Sequence, residues 1–154
     1  MRYVAAALLL VASALPARAQ DEKAIQTVVE SFLTRLGDHQ FDTLDADFTP
    51  KAIVAVTRQR AGSSEWTNNY VTAEEWIASL KKNPNPTVFR EPISNVKVTI
   101  DSDRLAYVRA DFHTVRDGKT TSTGVDQFTL FREPSGWKIA AIAYTSMPAS
   151  QTAK

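Results

Sequence analysis

The spacing of apolar residues divides the chain into a helical half and a strand half. From Asp21 to Gly37, Ile25, Val28, Val29, Phe32 and Leu36 recur at three- and four-residue intervals, which predicts a helix with one buried stripe. Asp21 is placed to cap its start and Gly37 to stop it. Phe41, Leu44 and Phe48 continue a helical spacing into a short second helix that Pro50 ends. Ala52 to Val56 is apolar and partly β-branched, a buried strand. The run 57–70, TRQRAGSSEWTNNY, is polar and reads as a loop or irregular hairpin. Thr72 and Glu75 have capping-box spacing, and Trp76, Ile77 and Leu80 stripe a third helix that Asn83 to Pro86 terminates.

After Pro86 the period falls to two. Val96, Val98 and Ile100 alternate with polar residues, Asp101-Ser102-Asp103 turns the chain, and Leu105 to Val115 forms a long strand. Asp117-Gly118 is a two-residue hairpin signal, and strands at about Thr120–Arg132 and Gly136–Ser146 follow. The order, helices first and then an antiparallel sheet, predicts one α+β domain with helices covering one sheet face.

The Asp117-Gly118 turn also predicts a register. If Arg116 pairs with Lys119, counting back sets Arg109 opposite Asp126, Tyr107 opposite Phe128 and Leu105 opposite Leu130, with Asp111 and His113 on the same face. Ala106, Val108, Ala110, Phe112, Ile142 and Tyr144 fall on the other face. Both faces are substantially apolar. One is therefore expected to pack on the helices, and the outer one to form a homodimer interface.

The first twenty residues change the picture of where the protein works. MRYVAAALLLVASALPARAQ has a basic start, an apolar run of about a dozen residues and an Ala17-Arg18-Ala19 cleavage pattern. Residues 1–19 are expected to be a secretory signal peptide, 20–147 the folded domain and 148–154 a polar tail, in a periplasmic or secreted protein. The apolar run is shorter than the ~20 residues a permanent span needs, so no stable membrane insertion is expected after cleavage. Losing Arg2 and Arg18 takes the formal charge from +1 to −1. Basic residues are interspersed with acids, which gives nucleic acid no footprint. With no Cys, two His and no HExxH pattern, neither disulfides, a metal site nor a bound cofactor is expected.

The long first helix, the Gly37-Asp38…Asp42-x-Leu44 pattern after it, the third helix, and the terminal pair VDQFTLF…GWKIAAI resemble the nuclear transport factor 2-like superfamily, which includes ketosteroid isomerase, scytalone dehydratase and the SnoaL polyketide cyclases. The resemblance covers roughly Asp21 to Met147. It implies a cone: a curved antiparallel sheet wrapped around three N-terminal helices, with a pocket inside and a dimer interface on the convex face. Of the ketosteroid isomerase roles it carries over one. Val56 stands where the general base would be and Phe32 where a Tyr donor would be, while Asp126 in VDQF matches the acid that donates to the oxyanion.

Asp126 is thus the best candidate for chemistry. An Asp in that role must stay protonated in an apolar site. With Arg109 directly across, its pKa is instead expected to fall, and the two to form a buried pair that costs about 3–5 kcal/mol to break. The expected ligand pocket comprises Phe32, Val56, Trp76, Tyr107, Arg109, Asp126 and Phe128. Asp111 and His113 are secondary candidates as an acid–base couple. Trp66 and Tyr70 lie near the expected mouth, and His39 is expected at the surface. Three functions follow: binding of a small, mostly apolar molecule in the cell envelope; a cofactor-free isomerase, dehydratase or cyclase; or a dimeric interaction module.

Overall fold

The computed structural model describes residues 17–83 and 87–149. Most of the expected signal segment and the end of the tail lie outside the described residues. Helix α1 (Ala17–Gly37) packs on a six-stranded sheet, followed by a short 3-10 helix (Phe41–Asp47), β1 (Phe48–Gln59), β2 (Trp66–Thr72), α2 (Ala73–Lys82), β3 (Ile93–Asp101), β4 (Leu105–Arg116), β5 (Lys119–Glu133) and β6 (Gly136–Pro148). The strand order is β2-β1-β6-β5-β4-β3. Every neighbouring pair is antiparallel except β1 and β6, which run parallel. Three helices and a curved open sheet match the α+β architecture expected from the sequence.

Local chemistry explains the elements and two differences from the sequence reading. The Thr72–Glu75 capping box is formed in both directions at the start of α2. Asp21, by contrast, lies inside α1, because the helix begins upstream; its carboxylate pairs with Arg132 of β5. Phe48 and Pro50 belong to β1 rather than to the second helix. Pro50 is tolerated there because Lys51 adopts φ 62° and the ladder with β6 is interrupted between Phe48 and Ile53. The run 57–70 is the β1–β2 hairpin, turned at Gly62.

The core lies between α1 and the concave face of the sheet. Ile25, Val29, Phe32 and Leu33 of α1 meet Val108, Phe128, Leu130 and Ile139. Phe32 is its centre, with ring centroids 5.4 Å from Phe48, 6.2 Å from Trp76 and 6.1 Å from Phe128.

The register holds the largest correction. Arg116 pairs with Lys119 and Val115 with Thr120 as expected, with positive φ at Asp117 and Gly118. The ladder then slips by one: Thr114 pairs with Ser122, leaving Thr121 as a bulge. Asp126 therefore lies opposite Ala110, and Arg109 opposite Gln127. Because side chains alternate, the slip inverts the face expected for β4. Ala106, Val108 and Ala110 are fully buried on the concave side, while Tyr107, Arg109, Asp111 and His113 point to the convex side. A second irregularity, between Thr129 and Leu130 against β6, does the same there and turns Ile142 and Tyr144 inward instead of Ala141 and Ala143.

Candidate functional site

Successive rows of residues across the concave face run from apolar to polar toward one end of the sheet. Val54, Ile142, Phe128 and Val108 make one row, closed over by α1. The next row is Val56, Tyr144, Asp126 and Ala110. Beyond it Arg58 pairs with Ser146, and Phe112 with Gly124. Above these rows α1, the 3-10 helix and α2 diverge, leaving a cavity of about 610 Å³. Leu36, Phe41, Trp76 and Phe89 cover it, while Phe112, Tyr144 and Asp126 form its floor.

One strap of backbone completes the wall. The amide of Phe89 donates to the carbonyl of Gly37, and Arg90 and Val115 exchange backbone hydrogen bonds at 3.0 and 2.8 Å. The Arg90 guanidinium reaches Asp38 at 2.5 Å. Held between the end of α1 and β4, the strap points Glu91 into the cavity. There the Thr114 hydroxyl donates to Glu91 Oε2 at 3.3 Å, and the Ser122 hydroxyl donates to Thr114 Oγ1 at 2.9 Å.

The electrostatics of this site are unusual. Asp126 is only 3% exposed, and its Oδ2 has no hydrogen-bond partner. Burial, with the nearby charge of Glu91 second, pushes its pKa up to about 8. Burial likewise raises Glu91 to about 7, opposed by the Thr114 hydrogen bond and the Arg116 charge. Burial also raises the Tyr144 phenol, against the lowering influence of Arg58. Each carboxyl thus keeps its proton to higher pH than an ordinary carboxylate, and the two titrate as a pair.

Of the residues expected to line a pocket, the cavity brings together Asp126 and Trp76. Phe32 and Phe128 are buried in the core that supports it. Val56 lies beside Tyr144 in register but is not among the lining residues. Tyr107 and Arg109 are on the opposite face, so the expected Arg109–Asp126 pair is not formed and the Asp126 pKa moves up rather than down. Arg109 instead pairs with Asp111 at 2.5 Å. Asp111, held below the usual carboxylate range first by the Asn95 amide and then by Arg109, faces away from the cavity, and His113 is exposed. His39, expected at the surface, lines the cavity with its ring stacked 5.2 Å from Phe41.

Sequence reasoning does not find Glu91, Tyr144, Thr114 or Arg58. Glu91 sits in an irregular segment with no periodicity to orient it. Tyr144 is turned outward by the expected register. The detectable signal is the alternation in β4 itself: even positions 106–112 are all apolar, and odd positions 109–113 are Arg, Asp and His.

Comparison with known proteins agrees with this architecture. A family model described as a SnoaL-like domain matches residues 17–143. No curated protein matches the chain. Three similar solved structures come from Novosphingobium aromaticivorans. A candidate scytalone dehydratase superposes with TM-score 0.67 at 13% identity, covering 84% of this chain and 85% of that one. A nuclear transport factor 2-like protein with a cystatin-like fold gives 0.66 at 14%, covering 88% and 86%. The beta subunit of a candidate aromatic-ring-hydroxylating dioxygenase gives 0.66 at 13%, covering 85% and 91%. At such identities the likeness is one of fold.

Proposed function

The chain belongs to the SnoaL-like domain family, and from that premise we propose that its cavity is the active site of a cofactor-free acid–base enzyme acting on a small, mostly apolar molecule. The reaction class is isomerisation, dehydration or cyclisation, in which a proton leaves carbon and negative charge builds on an oxygen. One observation carries this reading: a buried carboxyl, Asp126, presents an unpartnered oxygen to a cavity that a second carboxyl, Glu91, also enters. Simple ligand binding gives no reason to bury an unsatisfied carboxyl, because leaving such a group unpaired costs about 1–3 kcal/mol. Proton transfer does give one, since efficient acids and bases titrate near the working pH.

The roles divide by environment. Glu91, which accepts from the Thr114 hydroxyl and lies near the Arg116 charge, both favouring its ionised form, is the base. Asp126, buried with no partner at Oδ2 and so held protonated, donates a hydrogen bond to the developing oxyanion. Tyr144, its neighbour in register, supplies a second hydroxyl. The candidate scytalone dehydratase among the structural relatives is consistent with this class of chemistry. Export to the periplasm or beyond, read from residues 1–19, is part of the same proposal.

The test is proton NMR in deuterium oxide with a panel of cyclic and aromatic ketones and β-hydroxyketones. The wild-type protein is expected to exchange the α-protons of at least one member, or to eliminate water from it. Glu91→Gln should abolish this while leaving the circular dichroism spectrum intact. No exchange above the buffer rate, or an undiminished rate in Glu91→Gln, would sink the proposal.

A second reading concerns assembly. Ile53, Trp66, Tyr70 and Phe131 are large, exposed and, by register, all on the convex face. We propose that two copies pair through this face, leaving each cavity open.

A further inference from the structure

The mouth of the cavity carries two guanidiniums, and of these Arg116 has a carboxyl, Glu91, near enough to feel its charge. Arg18, Arg35, Arg60, Arg90, Arg109 and Arg132 each pair with an Asp or Glu. Arg58 and Arg116 line the cavity, and among the described residues neither makes such a pair. The Arg58 charge acts on the Tyr144 hydroxyl, opposing the upward push of burial. Arg116 donates to the Thr87 carbonyl at 2.9 Å and lies 4.7 Å over the Phe89 ring, contacts that fix the guanidinium and leave donors unused. Arg58 lies exposed at the rim, so it can meet a ligand's negative charge without first leaving an acidic partner.

Position sharpens the inference. Arg58 stands two residues beyond Val56 on β1, and Val56 begins the row that holds Tyr144 and Asp126. Two residues of strand span about 7 Å. The space between is walled by flat groups, Phe41, Trp76, Phe89 and Phe112. A cation at the mouth, flat walls between, and a reactive carboxyl one row deeper and two strands across describe the shape of a single ligand.

We propose that the cavity takes an organic acid with a flat apolar body, its anionic group held at the mouth by Arg58 and its ring directed toward Asp126. A planar guanidinium suits a carboxylate or sulfonate because two parallel N–H groups can meet two oxygens. The proposal names the substrate class of the proton-transfer site described above and rests on that reading.

A pair of fluorescent probes isolates the charge. Anilinonaphthalene sulfonate and phenylnaphthylamine share one ring skeleton and differ in the sulfonate. The mature protein is expected to bind the sulfonate at least about tenfold more tightly than the neutral probe, as a hydrogen-bonded charge commonly supplies. Arg58→Gln should erase that preference without altering affinity for the neutral probe, and Arg58→Lys should restore part of it. Arg58 is exposed, so these variants leave the fold intact. Equal affinities, a preference that survives Arg58→Gln, or binding of neither probe would overturn the proposal. Asp126→Asn separates the two readings. It should keep the probe selectivity and lose proton exchange. Selectivity present while Asp126→Asn and Glu91→Gln exchange protons at the wild-type rate would refute the acid–base role and leave the anion site standing.

Discussion

Glu91, on the strap before β3, lies close enough to Asp126 on β5 that its charge opposes ionisation of the buried Asp126 carboxyl. The strap is fixed at both ends, to Gly37 and to Val115, so the relationship is built into the fold. It makes the pair a sensitive object for experiment.

Glu91→Gln should lower the Asp126 pKa. The substitution removes a negative neighbour and keeps the shape of the side chain. Carbon-detected NMR of the Asp carboxyls should place Asp126 at about 8 in the wild type and measurably lower in the variant. Burial, the larger cause, remains, so the value should stay above the ordinary carboxylate range. An unchanged titration would mean that the two groups do not interact.

Asp126 should also make stability depend on pH. Its folded pKa, about 8, is above the ordinary value of 3.8. Between those values the unfolded chain binds fewer protons than the folded one, so stability falls as pH rises. The loss begins near the unfolded pKa and levels off above the folded one. A tenfold difference in proton affinity between the folded and unfolded chains corresponds to about 1.4 kcal/mol, so a total loss on the order of a few kcal/mol is expected. Asp126→Asn removes the titration. Urea melts should show the variant gaining on the wild type from about pH 4 to about pH 8, with the two curves parallel outside that window. A difference that does not vary with pH would contradict the assignment.

These features are legible in the sequence to different depths, and the boundary has a physical cause. Helix positions follow from periodicity because α1 buries one stripe against the sheet, and the capping box at Thr72 forms as its spacing implies. The importance of Asp126 is also visible, as an acid among residues patterned for burial. Its partners are not. The Asp117-Gly118 turn gives the right local pairing, but Thr121 bulges three residues later and reverses every facing relationship beyond it. A bulge carries no residue signature of its own in Thr120-Thr121-Ser122. It is inferable only by requiring that Val108 and Ala110 face the same way as Phe128, as their common burial demands. Glu91 is harder still. Its orientation depends on long-range bonds from Phe89 to Gly37 and from Arg90 to Asp38, which no local pattern encodes.

Gly124 is expected to tolerate no side chain. A Cβ there would lie 2.0 Å from the Thr145 carbonyl oxygen and 2.7 Å from the Phe112 ring. The first of these is backbone and cannot rotate away. The close approach also lets the Thr145 hydroxyl accept from the Val125 amide at 2.9 Å, next to Asp126. Gly124→Ala should therefore push β5 and β6 apart and cost on the order of 2–3 kcal/mol. A thermal melt within a degree or two of the wild type would show that the strands adjust more freely than the packing implies.

The convex face supplies the last prediction. Tyr70 is 69% exposed, and with Ala55, Val125 and Ala143 it borders a shallow groove on that face. An apolar surface of this kind on an edge hairpin invites aggregation unless it is covered. Cover by a second copy accounts for its position, because the cavity opens on the opposite face and stays accessible. Tyr70→Glu would place a charge in the centre of such an interface, where leaving it unpaired is expensive. Sedimentation velocity should give a dimer for the wild type and a shift toward monomer for the variant. Probe binding in the cavity should be retained, because Tyr70 does not line it. A wild-type monomer at micromolar concentration would refute self-pairing, and the apolar convex residues would then require a different partner.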